Sequence, residues 1–345
     1  MDASDDLSGS RSIPFIDVGR GGPGALADAQ PRRFGDILAH GRRHYSSTLL
    51  RLAHDIGRRW LERGRNAYLE EITAIAQRCH NAPGAFALNL SYEWSCTTGV
   101  SAQPGEKGVR MRRTLDWPMD GLGQDVVVAR FQGSAGDYYN ITWPGFVGVA
   151  TAMAPGRFAA AINQPPLANH TMIRPVDWAL ARMRYWRSGA LPAMHLLRRV
   201  FDECWTYDES KRRLCVEPIA APAFFTLAGV ESDEGCVIER QEDRYAVREV
   251  PACVANHWTT FPIRGWKRGV DTRARLEFMK TVFTSPGDDF DWVAHPVLNE
   301  TTRLAVIANA AENRLIVRGF EKDGPATDVY RLGANQIPVA NPSTI

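Results

Sequence analysis

The 345-residue sequence has little net charge and contains no long apolar run. Its 41 Lys and Arg residues nearly balance 39 Asp and Glu residues, and the formal charge of +2 is too small for the basic surface of a nucleic-acid binder. The initial stretch MDASDDLSGSRS lacks the basic and apolar regions of a signal peptide, and no apolar run approaches the ~18 residues of a membrane span. We therefore expect a cytoplasmic protein without a nucleic-acid partner.

Cysteine is also scarce, and its spacing excludes a disulfide scaffold. The six cysteines are Cys79, Cys96, Cys204, Cys215, Cys236 and Cys253. They form no C-x-x-C pair and are widely scattered, which fits a reducing compartment. His40 and His44 are four residues apart, but Gly-Arg-Arg separates them where a zinc protease has its glutamate. We predict no metal and no cofactor.

The sequence changes in texture near residue 95. From about residue 33 to residue 78, apolar residues such as Leu49, Ile56 and Trp60 recur at helical spacing. After Cys96 come short runs typical of strands: DVVVARF, FVGVATAM, RFAAAIN, FFTLAGV, CVIER, YAVREV, RLAVIANA and RLIVRGF. Helical patterns at about 175–205 and 271–283 fall between these runs without βαβ alternation, so we expect an α+β fold with antiparallel sheets.

Arginines cover the polar side of the N-terminal helical segment. They are Arg51, Arg58, Arg59, Arg63 and Arg65. A solvated helix face is the favoured interpretation, because charged faces of surface helices usually contact water. Contact with an anionic membrane surface is the alternative.

Several stretches carry a resemblance to a known family. They are LNLSYEWSCTT, RTLDW, GFVGVATAMAPGRFAAAIN, APAFFTLAG, EGCVIER, VANHW and HPVLNETT, in that order along the chain. Together they resemble the linear-amide hydrolases of the choloylglycine hydrolase family, within the N-terminal nucleophile superfamily. The likeness is greatest to the acid ceramidase and N-acylethanolamine-hydrolysing acid amidase branch. Such proteins have a four-layer αββα sandwich, which is therefore the fold that we expect, with an N-terminal helical segment before it.

The resemblance implies that the chain is a precursor that cuts itself between Ser95 and Cys96. The helical segment would be residues 1–95 and the catalytic domain residues 96–345, and the two fragments would stay associated. The cut gives Cys96 a free α-amine. Since an α-amine has a pKa of about 7.7–8.0, it can accept the thiol proton near neutral pH without a histidine.

Motif positions imply the other catalytic residues. Arg113 and Asp116, in RTLDW, should lie beside Cys96, with the aspartate holding the α-ammonium or thiol and the arginine offsetting that carboxylate. Asn256, in VANHW, matches an asparagine whose amide donates to the oxyanion of the tetrahedral intermediate. The distal site arginine matches Arg268, although a one-residue deletion leaves Arg264 and Arg275 as alternatives.

Five further residues are candidates for substrate binding. They are Asn163, Gln164, Trp117, Trp143 and Phe146. The three aromatic residues favour an apolar acyl group, although core residues would look the same in sequence. In AINQPP, Gln164 stands where the acid ceramidase branch has glutamate. A neutral amide cannot titrate, so this position argues against an acidic pH optimum and against ceramide itself.

These observations predict a hydrolase of carbon–nitrogen bonds in linear amides, whose substrate is a small N-acyl amide, and the resemblance implies a fatty-acyl group. One alternative is an acyltransferase of the same family, of the kind used in penicillin biosynthesis, in which an amine replaces water as acceptor. Another is a relative that is never cleaved and only binds acyl ligands.

Overall fold

A computed structural model describes residues 11–78, 84–90, 93–283 and 287–332 of the chain. The N-terminal part contains one strand and then helices, and the helical pattern predicted from residue 33 to residue 78 divides into three of them. The elements are β1 (Phe15–Gly19), α1 (Gly22–Ala29), α2 (Pro31–His44), α3 (Ser47–Arg63), α4 (Leu69–Arg78) and α5 (Ala85–Leu90). Proline begins α2, and the Ser46 side chain caps α3 by accepting a hydrogen bond from the amide of Leu49.

The remainder of the chain is mainly strand. Its strands are β2 (Ser95–Ala102), β3 (Val109–Asp116), β4 (Val127–Gly133), β5 (Gly136–Thr142), β6 (Thr151–Ala154), β7 (Phe158–Asn163), β8 (Ala223–Ala228), β9 (Gly235–Arg240), β10 (Tyr245–Glu249), β11 (Ala252–Val254), β12 (Thr302–Asn309), β13 (Arg314–Glu321), β14 (Gly324–Pro325) and β15 (Tyr330–Arg331). Its helices are α6 (Arg174–Arg187), α7 (Ala193–Glu203), α8 (Tyr207–Val216) and α9 (Thr272–Val282).

The strands form two sheets that pack face to face. One sheet has the order β1-β4-β5-β6-β7-β8-β9-β10, and the other has the order β11-β2-β3-β12-β13-β14, with β15 also pairing with β13. Helices α7 and α8 cover the outer face of the first sheet, and α9 covers the second. The layer order is therefore αββα, and the expected α+β class and four-layer sandwich are confirmed.

The core lies between the sheets, where strands have both faces buried. Strands β7 (FAAAIN) and β8 (AFFTLA) are buried at every position, and such strands read as continuous apolar runs without alternation. Strands β2 (SCTTGVSA) and β3 (VRMRRTLD) are almost as buried although they are polar. Their buried polar groups therefore need hydrogen-bond partners, which the apolar core cannot supply.

Some details differ from the pattern expected from the sequence. Residues 146–150 of the predicted strand FVGVATAM lie outside β6, because a turn precedes this strand. Strands β2, β3 and β5 and the short strands β11, β14 and β15 are absent from the predicted runs, and polar side chains concealed the burial of β2 and β3. Strand β1 overlaps IPFIDV, which the sequence predicts as a short strand, and it pairs in parallel with β4 at the edge of the first sheet.

The N-terminal helices contact the sandwich through both ionic and apolar residues. Arg198 of α7 forms an ion pair with Glu71 of α4. Phe34 of α2 is buried against Gly145, the residue before Phe146. No helix in the described ranges is long and apolar enough to cross a bilayer.

Gly145 offers a test of this contact. Its φ is +88°, and a Cβ there would lie 2.3 Å from the Phe34 ring. We expect Gly145→Ala to lower the free energy of unfolding by about 1–3 kcal/mol through backbone strain, with a further loss from the overlap with Phe34. Gly136→Ala is the matched control, because Gly136 has φ +104° but no atom within 4 Å of its Cβ position. Equal losses in urea unfolding would show that the Phe34 contact contributes nothing.

Candidate active site

The pairing of β2 with β3 places the candidate residues on two faces of one sheet. Cys96 lies opposite Leu115, Ser95 opposite Asp116, and Thr98 opposite Arg113. Side chains alternate between faces along a strand, so the spacing of three in R-x-x-D sends Arg113 and Asp116 to opposite faces. Arg113 lies on the face that carries the Cys96 thiol, toward the other sheet. Asp116 lies with Ser95 on the face covered by α9.

The thiol of Cys96 is buried against a guanidinium. Arg113 Nη2 donates to Cys96 Sγ at 3.2 Å, and the two other hydrogen bonds of this side chain go to the carbonyl oxygens of Ala150 (2.8 Å) and Ile162 (2.9 Å). Both Cys96 and Arg113 are fully buried. Burial raises the pKa of the Cys96 thiol, and the positive charge of Arg113 opposes this rise. Arg113 is therefore placed to stabilise a thiolate.

Asp116 lies beneath the Ser95–Cys96 peptide and is also fully buried. Its carboxylate accepts hydrogen bonds from Ser95 Oγ (3.2 Å) and Thr302 Oγ1 (3.0 Å), and it forms an ion pair with Arg275 Nη1 at 3.2 Å. Burial raises the pKa of Asp116, and Arg275 opposes this effect. The expectation that Arg113 offsets the Asp116 carboxylate is therefore wrong. Arg275 does so, because Arg113 is on the other face of β3.

Arg275, at the start of α9, links most of the site. Its guanidinium donates to the carbonyl of Cys96, to Thr97 Oγ1 and to Asn256 Oδ1, each at 2.9 Å, in addition to Asp116. A guanidinium presents several donors in one plane, so a single side chain can hold these groups together. The sequence left this position as one of three alternatives for the distal arginine.

Asn256 contacts the backbone nitrogen of the candidate nucleophile. Its Oδ1 accepts from the amide of Cys96 at 2.9 Å, while its Nδ2 donates to the carbonyl of Gln164 at 2.8 Å. The side chain is 1% exposed, so it is not an asparagine of a surface turn. It lies where the α-amine would appear after a cut at Ser95–Cys96.

Arg268 contacts the peptide that precedes the Ser95–Cys96 bond. Its Nη1 donates to the carbonyl of Trp94 at 3.2 Å and to Gln164 Oε1 at 2.9 Å. With Arg275 on the Cys96 carbonyl, the two arginines flank the Ser95–Cys96 bond. Arg264 is exposed, so of the three alternatives only Arg268 and Arg275 reach the site.

Asn163 connects three segments around the thiol. Asn163 accepts from Thr98 Oγ1 at 2.7 Å and donates to the carbonyls of Val254 and Ala255 at 3.2 and 3.3 Å. These bonds join β2, β7 and the segment that leads into Asn256. Asn163 is therefore placed as a support for the site.

The candidate aromatic residues form one buried cluster with Trp94. The ring centroids of Trp94 and Trp117 are 5.3 Å apart, those of Trp94 and Phe146 are 6.0 Å apart, and those of Trp117 and Trp143 are 5.7 Å apart. Asn89 holds the Phe146 turn, because its amide donates to the carbonyl of Gly145 (2.9 Å) and its oxygen accepts from the amide of Val147 (2.6 Å). The structure thus places these rings next to Trp94, on the N-terminal side of the Ser95–Cys96 bond.

The sequence-based reasoning gave no role to Thr302 or Asn89. Thr302 lies in the HPVLNETT stretch and Asn89 in the LNLSYEWSCTT stretch. Their place in these motifs was the one feature of the sequence that could have identified them as site residues. Residues 91 and 92 of the latter stretch, and Cys79, are outside the described residues. The other five cysteines are free and buried. Within the described ranges, His, Cys, Asp and Glu form no group of three suited to a metal ion.

Comparison with known proteins supports the resemblance. The chain is 33% identical to acid ceramidase of Homo sapiens over 99 residues, which are 29% of this chain and 24% of that protein. It is 32% identical to acid ceramidase of Mus musculus over 97 residues, 28% and 23% of the two chains. The match thus spans about a quarter of the length of these relatives. No family model matches the chain.

A solved structure supports the fold. The Caenorhabditis elegans ortholog of N-acylethanolamine-hydrolyzing acid amidase superimposes with a TM-score of 0.51 and 19% identity, over 68% of this chain and 100% of that chain. The predicted resemblance to acid ceramidase and to this amidase is confirmed, and the superposition confirms the predicted fold.

The Asp116–Arg275 pair makes the site sensitive to loss of one charge. We expect Arg275→Met to lower the free energy of unfolding by about 3–5 kcal/mol, because a buried carboxylate then lacks its cation. Without the arginine the pKa of Asp116 rises further above its unfolded value. The buried Asp116 carboxylate destabilises the variant most when it is ionised. The loss in free energy of unfolding should therefore become smaller as pH falls. Urea unfolding at several pH values measures this.

The control for this experiment is Asp116→Asn combined with Arg275→Met. It removes the carboxylate and should recover part of the loss at neutral pH. A double variant as unstable as the sum of its single variants would contradict the ion pair as the cause.

Proposed function

We propose that the protein is an amidohydrolase that cuts its own chain between Ser95 and Cys96 and then hydrolyses linear N-acyl amides with Cys96 as nucleophile. One observation carries this proposal. In the uncut chain, the Cys96 thiol contacts Arg113, the Cys96 amide nitrogen contacts Asn256, and arginines hold the carbonyls on both sides of the Ser95–Cys96 bond. Ordinary strand packing would not need so many buried polar groups at one peptide bond.

Self-cleavage proceeds by transfer of an acyl group from nitrogen to sulfur. The Cys96 sulfur bonds to the carbonyl carbon of Ser95, the C–N bond to Cys96 breaks, and the thiol proton goes to the departing nitrogen. Water then attacks the thioester, which releases the carboxyl group of Ser95 and restores the thiol. Arg113 favours the first step because it stabilises the developing thiolate.

Amide hydrolysis repeats this chemistry on an added substrate. The α-amine of Cys96 accepts the thiol proton and delivers it to the leaving amine. Asn256 Oδ1 orients the α-amine of Cys96, and Asn256 Nδ2 is the side-chain amide donor available to the oxyanion. An oxyanion donor typically contributes about 3 kcal/mol to the transition state. Asp116 and Arg275 do not contact the substrate. They position the reacting groups, because they fix the Cys96 backbone and the Asn256 side chain.

Two further features of the protein follow from this activity. The two fragments stay associated because β1 is part of the first sheet and the N-terminal helices contribute to the core. The substrate is a small molecule, and an apolar acyl group fits the aromatic cluster beside Ser95.

Cys96 tests both reactions. We expect Cys96→Ala to run as one uncut chain in intact-mass measurements and to hydrolyse no fluorogenic acyl amide, because it lacks the nucleophile. Cys96→Ser should be slowed by about a hundredfold or more, since a hydroxyl is a weaker nucleophile than a thiolate. The wild type should give fragments of residues 1–95 and 96–345.

Cys253→Ala is the control, because Cys253 is also buried and lies on β11, next to β2. It should be cut and active. An uncut wild-type chain that binds acyl ligands would contradict the proposal and indicate a binding protein. Formation of an acylated amine from an added amine acceptor would indicate an acyltransferase.

The pH dependence tests the role of the α-amine. We expect kcat/KM to rise through about pH 7–8, where an α-amine loses its proton. The raised pKa of the Cys96 thiol has the same sign: the thiol holds its proton more tightly, so activity falls as pH falls. Gln164 does not titrate, and Gln164→Glu, which restores an acid beside Arg268, should move the optimum toward acid.

Gln132→Glu is the matched control on an exposed position and should leave the profile unchanged. A wild-type maximum near about pH 4–5 would exclude the α-amine as the controlling base.

A further inference from the structure

A buried carboxylate outside the candidate active site holds the loop that carries Asn256. The carboxylate belongs to Glu239 of β9, and its side chain is fully buried. We propose that Glu239 is a positioning residue, which fixes the loop between β11 and α9 so that the Asn256 side chain stays at the Cys96 nitrogen. This inference rests on the proposed function, in which Asn256 orients the α-amine and donates to the oxyanion.

The loop that begins with Asn256 has few side chains in the core. It spans residues 255–271, between β11 and α9. Trp258 packs against a ring of β8, whereas the side chains of Thr259 and Thr260 are exposed. A surface loop of this kind presents backbone N–H groups that need partners. The position of Asn256 therefore depends on how those groups are satisfied.

Three consecutive backbone N–H groups of the loop converge on the Glu239 carboxylate. The amide of Thr259 donates to Oε1 at 2.9 Å, the amide of Thr260 donates to Oε1 at 3.1 Å and to Oε2 at 3.0 Å, and the amide of Phe261 donates to Oε2 at 3.4 Å. Successive N–H groups form a concave surface that binds an anion, and hydrogen bonds to a charged acceptor are the stronger ones. Glu239 thus fixes the backbone that begins three residues after Asn256.

Arg248 connects this carboxylate to the chain on the other side of Asn256. Its Nη2 lies 3.7 Å from Glu239 Oε1 and donates to the carbonyl of Cys253 at 2.9 Å. Cys253 is in β11, three residues before Asn256. The chain is therefore held on both sides of Asn256, and one ion pair joins the two points.

The second half of the loop is held by a different carboxylate. Trp266 Nε1 donates at 2.9 Å to Oδ2 of Asp177, which lies in the first turn of α6. This half carries Arg268, the other site residue that the loop supplies. Loss of the Glu239 carboxylate should therefore loosen Asn256 and leave Arg268 in place.

The experiment compares Glu239→Gln with the wild type on a fluorogenic coumarinyl amide of decanoic acid. Glutamine keeps the length of the side chain but turns an amide donor toward the backbone donors of the loop. We expect kcat to fall about tenfold or more, because a small displacement of a positioned group is costly in rate. KM should hardly change, since the lost interaction belongs to the transition state. Where the amide is not hydrolysed, the rate of self-cleavage, followed by intact mass, takes the place of kcat.

A double-mutant cycle with Asn256→Ala separates positioning from a general effect on the fold. If Glu239 acts through Asn256, Glu239→Gln should cause no further loss of rate in the Asn256→Ala variant. A residue that only stabilises the fold would cause the same loss in both backgrounds, and equal losses would therefore overturn the inference. Arg248→Gln, at a side chain that is 27% exposed, allows the same cycle in case Glu239→Gln does not fold.

Glu234→Gln is the matched control. The Glu234 carboxylate also accepts from loop amides, those of Val230 at 2.8 Å and Glu231 at 3.1 Å, but this loop lies before β9 and carries no site residue. The control should keep the kcat and KM of the wild type. An unchanged kcat in Glu239→Gln, with an active wild type, would overturn the inference and leave the amidase standing. A wild type that stays uncut and inactive would overturn the proposed function, and the inference with it.

Discussion

The buried ion pair between Asp116 and Arg275 is the interaction on which the site depends. It joins the end of β3 to the first turn of α9, and the same guanidinium holds the Cys96 carbonyl and Asn256 Oδ1. Two charges taken out of water are expensive, and they persist only where further hydrogen bonds satisfy them. Here Ser95 and Thr302 supply those bonds to the carboxylate. The result is a Cys96 backbone fixed from both sides.

The alternation of side chains along β3 gives Arg113 and Asp116 different contacts within the site. Because β3 alternates its side chains, Arg113 faces the thiol between the sheets and Asp116 faces the peptide beneath α9. The candidate nucleophile and the peptide that it would attack are thus held by different groups. Asn256 lies at the boundary, where its side chain reaches the Cys96 nitrogen. This separation lets the thiol remain in a region of high burial while the backbone is anchored elsewhere.

The junction of the two predicted parts of the chain is also where the aromatic cluster forms. Trp94 comes from the N-terminal part, whereas Trp117, Trp143 and Phe146 come from the sandwich, and Asn89 of α5 fixes the Phe146 turn. The proposed cut would therefore separate the covalent chain at a place where packing already joins both fragments. Gln164, neutral beside Arg268, makes this junction less dependent on pH than a glutamate would.

The sequence by itself determined the fold class, and it predicted a boundary near residue 95 and a set of candidate site residues. Apolar periodicity reports burial directly, and the motifs around Cys96, Arg113, Asp116 and Asn256 supplied the candidates for the chemistry. Only the tertiary structure decided which arginine pairs with Asp116, because Arg275 is 159 positions away along the chain and its choice depends on how α9 packs on the sheet. It likewise revealed β2 and β3, whose burial is hidden in sequence by polar side chains that find their partners only after the sheets meet.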